Sequence, residues 1–391
     1  MNLGFYYHVS IVIGKKGELM LPAYLGFFIE ELAKNAEKLY LFAHVERTKA
    51  NISNNYIIGA ENIVLIDLGE KRNFIDRFLR GKTLLRKYEK EASYCDIILV
   101  RAPSPLAPYF YACFRSISKI SYLVVGDYKV GQRYLETNYL KKIVTKIFVT
   151  FNEKQQNSAI RRCLTFVNSR KLYDKYDQNC CDLVEVKTTT LRRSDFHARE
   201  DTCQNGIIQL LYTGRLDMSK GIRELLHACE KLANDRIDFK LNIVGWEENA
   251  RLPVESYIKS KSSELGIGDK VILHGKKEAG SELNEMYRMA DIYILPSYHE
   301  GFPRTIWEAM ANSLPVVATN VGSIPSFLND NEHAILIESR QTIELYEAVL
   351  KMLNNHKLRR RMIKNSFIYV QDVTLEKQTL KIIDKLNLLL S

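Results

Sequence analysis

The sequence predicts an α/β protein made of two Rossmann-like, doubly wound parallel-sheet domains that face each other across a cleft. Three observations carry that expectation. Short apolar runs of buried-strand length alternate with longer segments of helical period along the whole chain. A polar stretch without periodicity, residues 197–206 (HAREDTCQNG), separates the alternation into two halves. The length of 391 residues leaves room for two such domains, each with its own core. The expected division is a first domain over 1–196, a linker over 197–206, a second domain over 207–372 and a last helix over 373–391.

In the first half, residues 3–8 read as a strand that 9–13 extend. Gly14-Lys15-Lys16-Gly17 follows, and then a helix over 22–35. A strand, a glycine loop and a helix in that order let backbone approach a phosphate. Gly14 and Gly17 are therefore candidate binding residues, with a plain solvated turn as the alternative. Further strands read at 38–45, 63–68, 96–100, 122–125 and 165–169. The strand at 122–125 runs into Gly126-Asp127, which makes Asp127 a candidate at a strand's carboxyl end, against a turn or capping role. Residues 71–90 hold eight Lys and Arg and two acids, interleaved with Phe74, Phe78 and Leu85. At helical spacing this has the form of an interfacial helix on an anionic membrane. An ordinary surface helix whose apolar side packs on the sheet is the alternative, and the two readings coexist if the basic rim faces lipid.

The second half opens with a strand over 207–213, then Gly214-Arg215-Leu216, then Lys220-Gly221 before a helix. Cations at a helix start oppose its dipole, so Arg215 and Lys220 call for an anion there. Strands at 239–244 and 271–273 follow, and Lys276 lies just past the second. Residues 291–323 are the most informative. A buried strand over 291–295 ends at Pro296, a turn carries Glu300 and Gly301, and a helix follows with Phe302 and Pro303 at its start. The next strand is 316–319. Glu300 and Glu308 thus stand with seven residues between them at the carboxyl end of a strand, where ligands of such sheets bind. A carboxylate can accept two hydroxyls at once, and riboses and hexoses both offer vicinal pairs.

Composition narrows the classes. Hydrophobic residues make up 46% and charged residues 26%, as in ordinary globular proteins. None of the seven cysteines forms a Cys-x2-Cys pair, so neither a zinc site nor a disulfide framework is indicated, and a reducing cytoplasm suits them. No signal peptide is expected, because Lys15 and Lys16 follow the first apolar run rather than precede it. The longest uncharged run, 309–329, is broken by Pro315, Gly322 and Pro325 and makes no membrane span. The net charge of +10 is uneven, since residues 1–200 carry 32 Lys and Arg against 21 Asp and Glu. An acidic partner would meet that half, as anionic lipid or a phosphate-bearing acceptor. No nucleic-acid module or basic-aromatic sheet motif is present, and no nucleic-acid partner is expected.

The Glu-x7-Glu pattern within EGFP…EAMA, the GRL and KG pair before it and the TNVGS segment after it resemble the nucleotide-sugar site of family-4 (group 1) retaining glycosyltransferases, which have the GT-B fold. The resemblance covers 207–340 with specific motifs and the first domain in outline. It implies that Glu300 holds donor-sugar hydroxyls, that Glu308 holds the ribose and that Arg215 and Lys220 clamp the diphosphate. Gly301, Phe302 and Pro303 would line the donor, with Lys276 on the base side. The first domain would take the acceptor. There the glycines depart from the family's pattern, being separated by two lysines, and Gly126 stands where the family has a His before its Asp, here Asp127. The implied reaction moves a sugar from a nucleotide diphosphate sugar to a hydroxyl of a glycan or lipid-linked acceptor, in surface polysaccharide or glycolipid synthesis. No Asp-x-Asp occurs, so no metal and no cofactor beyond the co-substrate is expected. The implied location is cytoplasmic, with peripheral attachment to the inner membrane face through 71–90. A nucleotide-sugar epimerase of the same architecture and a catalytically silent partner subunit are the alternatives.

Overall fold

The computed structural model describes residues 1–46, 56–126, 139–180, 182–204, 206–247, 253–301 and 303–391. They form two compact units, Met1–Thr188 with Glu376–Ser391, and Thr189–Leu375.

The first unit is built on nine strands: β1 (Asn2–Ile13), β2 (Leu19–Leu21), β3 (Lys38–Glu46), β4 (Tyr56–Ile57), β5 (Ile63–Asp67), β6 (Ile97–Ala102), β7 (Lys119–Val124), β8 (Leu164–Val167) and β9 (Asp182–Glu185). Seven of them run parallel in the order β5-β3-β1-β6-β7-β8-β9, so the order reverses between β1 and β6. These strands are apolar on both faces, as sheets covered by helices on both sides must be. Tyr6, Phe42 and Val100 pack to one side with Phe110. Leu3, Phe5 and Leu99 pack to the other, where the helix Leu375–Leu390 adds Ile382, Ile383 and Leu386.

The second unit carries β10 (Ile208–Thr213), β11 (Phe239–Val244), β12 (Val271–Leu273), β13 (Ile292–Leu295), β14 (Val316–Thr319) and β15 (Ile335–Ile337). All six are parallel in the order β12-β11-β10-β13-β14-β15, the strand order of dinucleotide-binding sheets. Here the reversal falls between β10 and β13.

Three expectations change. First, Gly14-Lys15-Lys16-Gly17 does not lead from strand to helix. It closes a β-hairpin in which Ile13 faces Leu19 and Val12 faces Met20, and the helix Ala23–Lys34 begins only after β2. Gly17 takes a left-handed φ of 88°, and Gly14 donates to Glu18 O at 2.8 Å. The Glu18 carboxylate accepts the Lys16 N–H at 2.9 Å, so the turn meets its own donor with an acid rather than holding it out for a phosphate.

Second, residues 197–206 are no linker where they are described, because they pack as part of the second unit. The Arg199 guanidinium donates to Tyr287 O, Arg288 O and Ala290 O at the end of one helix and to Asn312 O at the end of another. Asp201 holds Arg359 through two hydrogen bonds of 2.6 and 3.0 Å in a buried ion pair. Cys203 N donates to Asp291 at 2.7 Å. The polarity of this stretch serves helix-end carbonyls that have no partner within their own helices.

Third, the helix Phe74–Leu85 turns its apolar side into the unit. Phe78, Gly81 and Leu85 are buried, and a Cβ on Gly81 would meet the Tyr109 ring at 2.4 Å. Leu79, 64% exposed, is the large apolar side chain left outside. Arg77 is half-buried, whereas Arg80, Lys82, Arg86 and Lys87 stay exposed. The apolar stripe that suggested a lipid-facing helix belongs to the protein core.

Candidate functional site

The carboxyl ends of β10 and β13 carry the two loops that the sequence singles out. After β10 the chain turns through Gly214, whose N–H bonds Val244 O at 3.0 Å. The buried Tyr212 donates its hydroxyl to Arg215 O at 2.8 Å, which fixes the loop from below. Asp217 accepts from Ser219 N at 2.8 Å, and Gly221 starts the helix Ile222–Asn234 with a left-handed φ of 71°. A Cβ on Gly221 would lie 1.9 Å from Pro296 O, so only glycine lets this loop touch the one after β13.

That contact brings Lys220 to Glu300. Lys220 Nζ donates to Glu300 Oε1 at 2.6 Å, with the two side chains 15% and 11% exposed. Ser297 Oγ donates to the same oxygen at 2.7 Å, and Thr319 Oγ1, from the end of β14, holds Ser297 O at 2.6 Å. Gly322 closes the arrangement from the other side, since a Cβ there would sit 1.9 Å from Glu300 O. The Lys220–Glu300 pair leaves Lys220 half-buried, whereas Arg215 is exposed.

Glu308 lies on the helix Arg304–Ala311. Thr190 Oγ1 donates to its Oε1 at 3.2 Å and the Tyr287 hydroxyl to its Oε2 at 2.9 Å. Thr213 Oγ1 in turn lies 2.8 Å from the Tyr287 hydroxyl. Burial raises the carboxyl's pKa, while the Arg304 charge and these two hydroxyls act against that rise. Each oxygen keeps a lone pair beyond the one engaged, so the group is oriented but can still accept from a ligand.

Pro303 precedes the same helix and forms its N-cap, one residue earlier than the sequence suggested. Gly301 is exposed beside it, and its carbonyl accepts Ser323 N at 3.0 Å. Lys276 sits past β12, at the sheet edge, exposed and paired with Glu278 at 2.5 Å. Gly14 and Gly17 are in the hairpin of the first unit. Phe302 and Asp127 lie outside the described residues.

Sequence reasoning missed Ser297, Thr190, Tyr287 and Asp217. Ser297 and Asp217 each stand three residues from a singled-out partner, Glu300 and Lys220, and that spacing was the available signal. Thr190 and Tyr287 are 118 and 21 positions from Glu308 and had none.

A two-unit α/β protein with this second sheet order and a lysine–glutamate pair at its reversal point has the GT-B fold, and solved structures agree. Alr3699/HepE of Anabaena, determined in complex with UDP, superposes with a TM-score of 0.71 at 14% identity, covering 99% of this chain and 100% of that one. At that identity the likeness concerns the fold alone. Residues 197–368 match the family described as glycosyl transferases group 1, so the second unit is a domain of that family. A D-inositol 3-phosphate glycosyltransferase of Corynebacterium diphtheriae is 32% identical over 156 residues, 39% of this chain and 36% of that protein. The chain thus spans little more than a third of that relative's length. Protein CapJ of Staphylococcus aureus is 27% identical over 71% of this chain and 70% of its own. Among the described residues no helix is long and apolar enough to cross a membrane.

Proposed function

We propose that the chain is a retaining glycosyltransferase that moves a sugar from a nucleotide diphosphate sugar to a hydroxyl of a glycan or lipid-linked acceptor. The observation that carries this reading is the Lys220–Glu300 pair at the β10–β13 reversal, at the carboxyl ends of the strands. The pair presets a cation and a carboxylate at one point. A diphosphate arriving there takes the Lys220 ammonium, with Arg215 adding a bidentate donor. Glu300, still held by Ser297, is then free to accept hydroxyls of the sugar. Glu308, oriented by Thr190 and Tyr287, receives the ribose.

In the transfer, the bond from the sugar's anomeric carbon to the diphosphate oxygen breaks while the bond to the acceptor oxygen forms on the same face. The departing diphosphate oxygen takes the acceptor's proton. Negative charge grows on that oxygen, so Lys220 and Arg215 bind the transition state more strongly than the ground state. No protein nucleophile is required. These cations and the start of the helix Arg304–Ala311 would neutralise the diphosphate without a metal. The exposed basic residues of 71–90 would add a salt-sensitive attraction to an anionic membrane surface.

The test is a panel of nucleotide sugars screened by thermal shift, followed by transfer assays with the donor that binds. Anomeric analysis of the product decides retention. Binding without transfer to any glycan or lipid acceptor would favour a silent subunit, and a sugar altered while still on its nucleotide would favour an epimerase.

A further inference from the structure

The first unit has its own polar cluster at the carboxyl ends of its parallel strands. β1 pairs with β6 up to Tyr6 and Val100, and its pairing with β3 shifts register between Tyr7 and Ser10. His8 lies in that shift, and His44 lies on β3 opposite Ser10. Arg101, at the end of β6, stacks its guanidinium 4.7 Å from the centre of the Tyr7 ring. Arg77 reaches the same place from the helix Phe74–Leu85 and acts electrostatically on Tyr6, His8, His44 and Lys71.

This cluster is unfinished. Nε and Nη1 of Arg77 are buried and find no hydrogen-bond partner among the described residues. Asp76 beside it is occupied by Arg72 and Arg80 at 3.2 and 3.0 Å. His44 is 1% exposed, and its Nδ1 lies 3.1 Å from Gly69 O. A carbonyl only accepts, so Nδ1 carries the proton and donates. Nε2 is then a bare acceptor, and it too is buried without a partner. Nδ1 of His8 is a fourth such atom. Burial, with Arg101, Lys71 and Arg77 around it, lowers the pKa of His8 to about 3, and burial with Arg77 and Lys71 takes that of His44 to about 4. Both rings are therefore neutral near pH 7.

Buried donors and acceptors left unpaired cost free energy, and a buried unpaired cation costs more. Such a group in a native protein calls for an explanation, and a ligand that completes several of them at one place is one. The donors belong to a fixed cation, which selects an anion, and the bare imidazole nitrogen selects a hydroxyl. We propose that this polar cluster of the first unit binds the acceptor through an anionic group, phosphate or carboxylate, held by Arg77 with the exposed Lys71, while a neighbouring hydroxyl of the same molecule donates to His44 Nε2. The inference rests on the glycosyltransferase reading for the word acceptor; the anion site itself does not.

The test uses the full chain with UDP present in excess, so that phosphate probes cannot occupy the donor side. Glucose 6-phosphate, glucuronate and glucose are titrated by calorimetry. Vesicles of phosphatidylcholine with and without phosphatidylinositol form a second arm. Binding of glucose 6-phosphate or glucuronate but not glucose is the expected result, and it assigns a free sugar acid. Selective binding to the phosphatidylinositol vesicles assigns a lipid headgroup instead. Arg77→Gln should weaken either interaction at least ten-fold and leave UDP affinity unchanged. Its thermal midpoint without ligand should stay level or rise, because two buried donors without partners among the described residues have been removed. If that variant does not fold, Lys71→Gln should give a several-fold loss in its place. The proposal fails if no anionic probe binds, if glucose binds as well as its phosphate, if the variants bind as the parent does, or if Arg77→Gln lowers the midpoint as a purely structural arginine would. Absence of UDP binding in the parent would instead overturn the donor reading and leave this one standing.

Discussion

The two sheets reverse their strand order at β1–β6 and at β10–β13, and the two points meet their charges differently. At β10–β13 every group named in the donor site already has a partner. Lys220 holds Glu300, Ser297 holds the same carboxylate, and Thr190 and Tyr287 hold Glu308. At the first sheet's reversal, Arg77 and two histidines bury polar atoms that have no partner among the described residues. In the proposed reading one site is preassembled and would exchange an internal ion pair for a ligand. The other is left incomplete, and the proposed ligand would supply the missing charge. The first arrangement protects stability, and the second gives up stability for selectivity.

The largest effects should break the preassembled site. Lys220→Ala and Arg215→Ala should each lower turnover about 100-fold or more, the loss expected when a donor to a developing oxyanion is removed. Glu300→Gln should reduce transfer similarly while nucleoside diphosphate binding stays near normal. Steady-state kinetics beside nucleotide titrations check all three, and unchanged turnover in any of them removes that residue from the assigned role.

Next comes the support of that site. Asp201→Ala leaves Arg359 buried without its carboxylate, and the second unit should lose about 3 kcal/mol, as when one partner of a buried pair is removed. Denaturant unfolding measures it. A loss near zero would return residues 197–206 to the status of a linker.

A smaller effect sharpens the contrast through pH. In the folded first unit His8 and His44 stay neutral until about pH 3 and 4, whereas in the unfolded chain both protonate near 6.5. The unfolded state therefore binds more protons below pH 6.5, and stability falls as pH drops from 6.5 towards 4. His44→Gln should flatten that fall. Thermal unfolding across this range, parent against variant, is the measurement, and parallel curves would mean that His44 is not held neutral.

The smallest expected effects concern metal and membrane. Transfer should persist in excess chelator, and a strict need for magnesium or manganese would refute the metal-free reading. Arg80, Arg86 and Lys87 replaced together by Gln should weaken co-sedimentation with anionic vesicles at low salt, at about 1 kcal/mol per basic residue near the surface. Turnover of a soluble acceptor should not change. Equal binding of parent and variant would make this run a solvated face.

The donor loops were legible because their signals are local. Glu300 and Glu308 sit within one strand–turn–helix segment, and Gly221 and Gly322 are glycines where a Cβ would strike backbone. Strands β10, β11, β13 and β14 announced themselves as short apolar runs for the same reason, being buried on both faces. The 197–206 stretch misled because polarity reads alike whether a side chain meets water or a helix-end carbonyl. The Gly14–Gly17 loop misled because β2 has only three residues, too few to show a period.

By itself the sequence determined the alternating α/β order, the location of Glu300, Glu308, Arg215 and Lys220, and the basic excess of the first half. Each follows from residues close together in the chain or from simple counts. Only the tertiary structure decided that Lys220 is paired with Glu300 across 80 positions, that Arg199 and Asp201 bind the 197–206 stretch to the second unit, and that Arg77 buries Nε and Nη1 within electrostatic reach of His44. Those outcomes depend on which buried polar groups find partners, and partners are set by distance in space rather than by spacing along the chain.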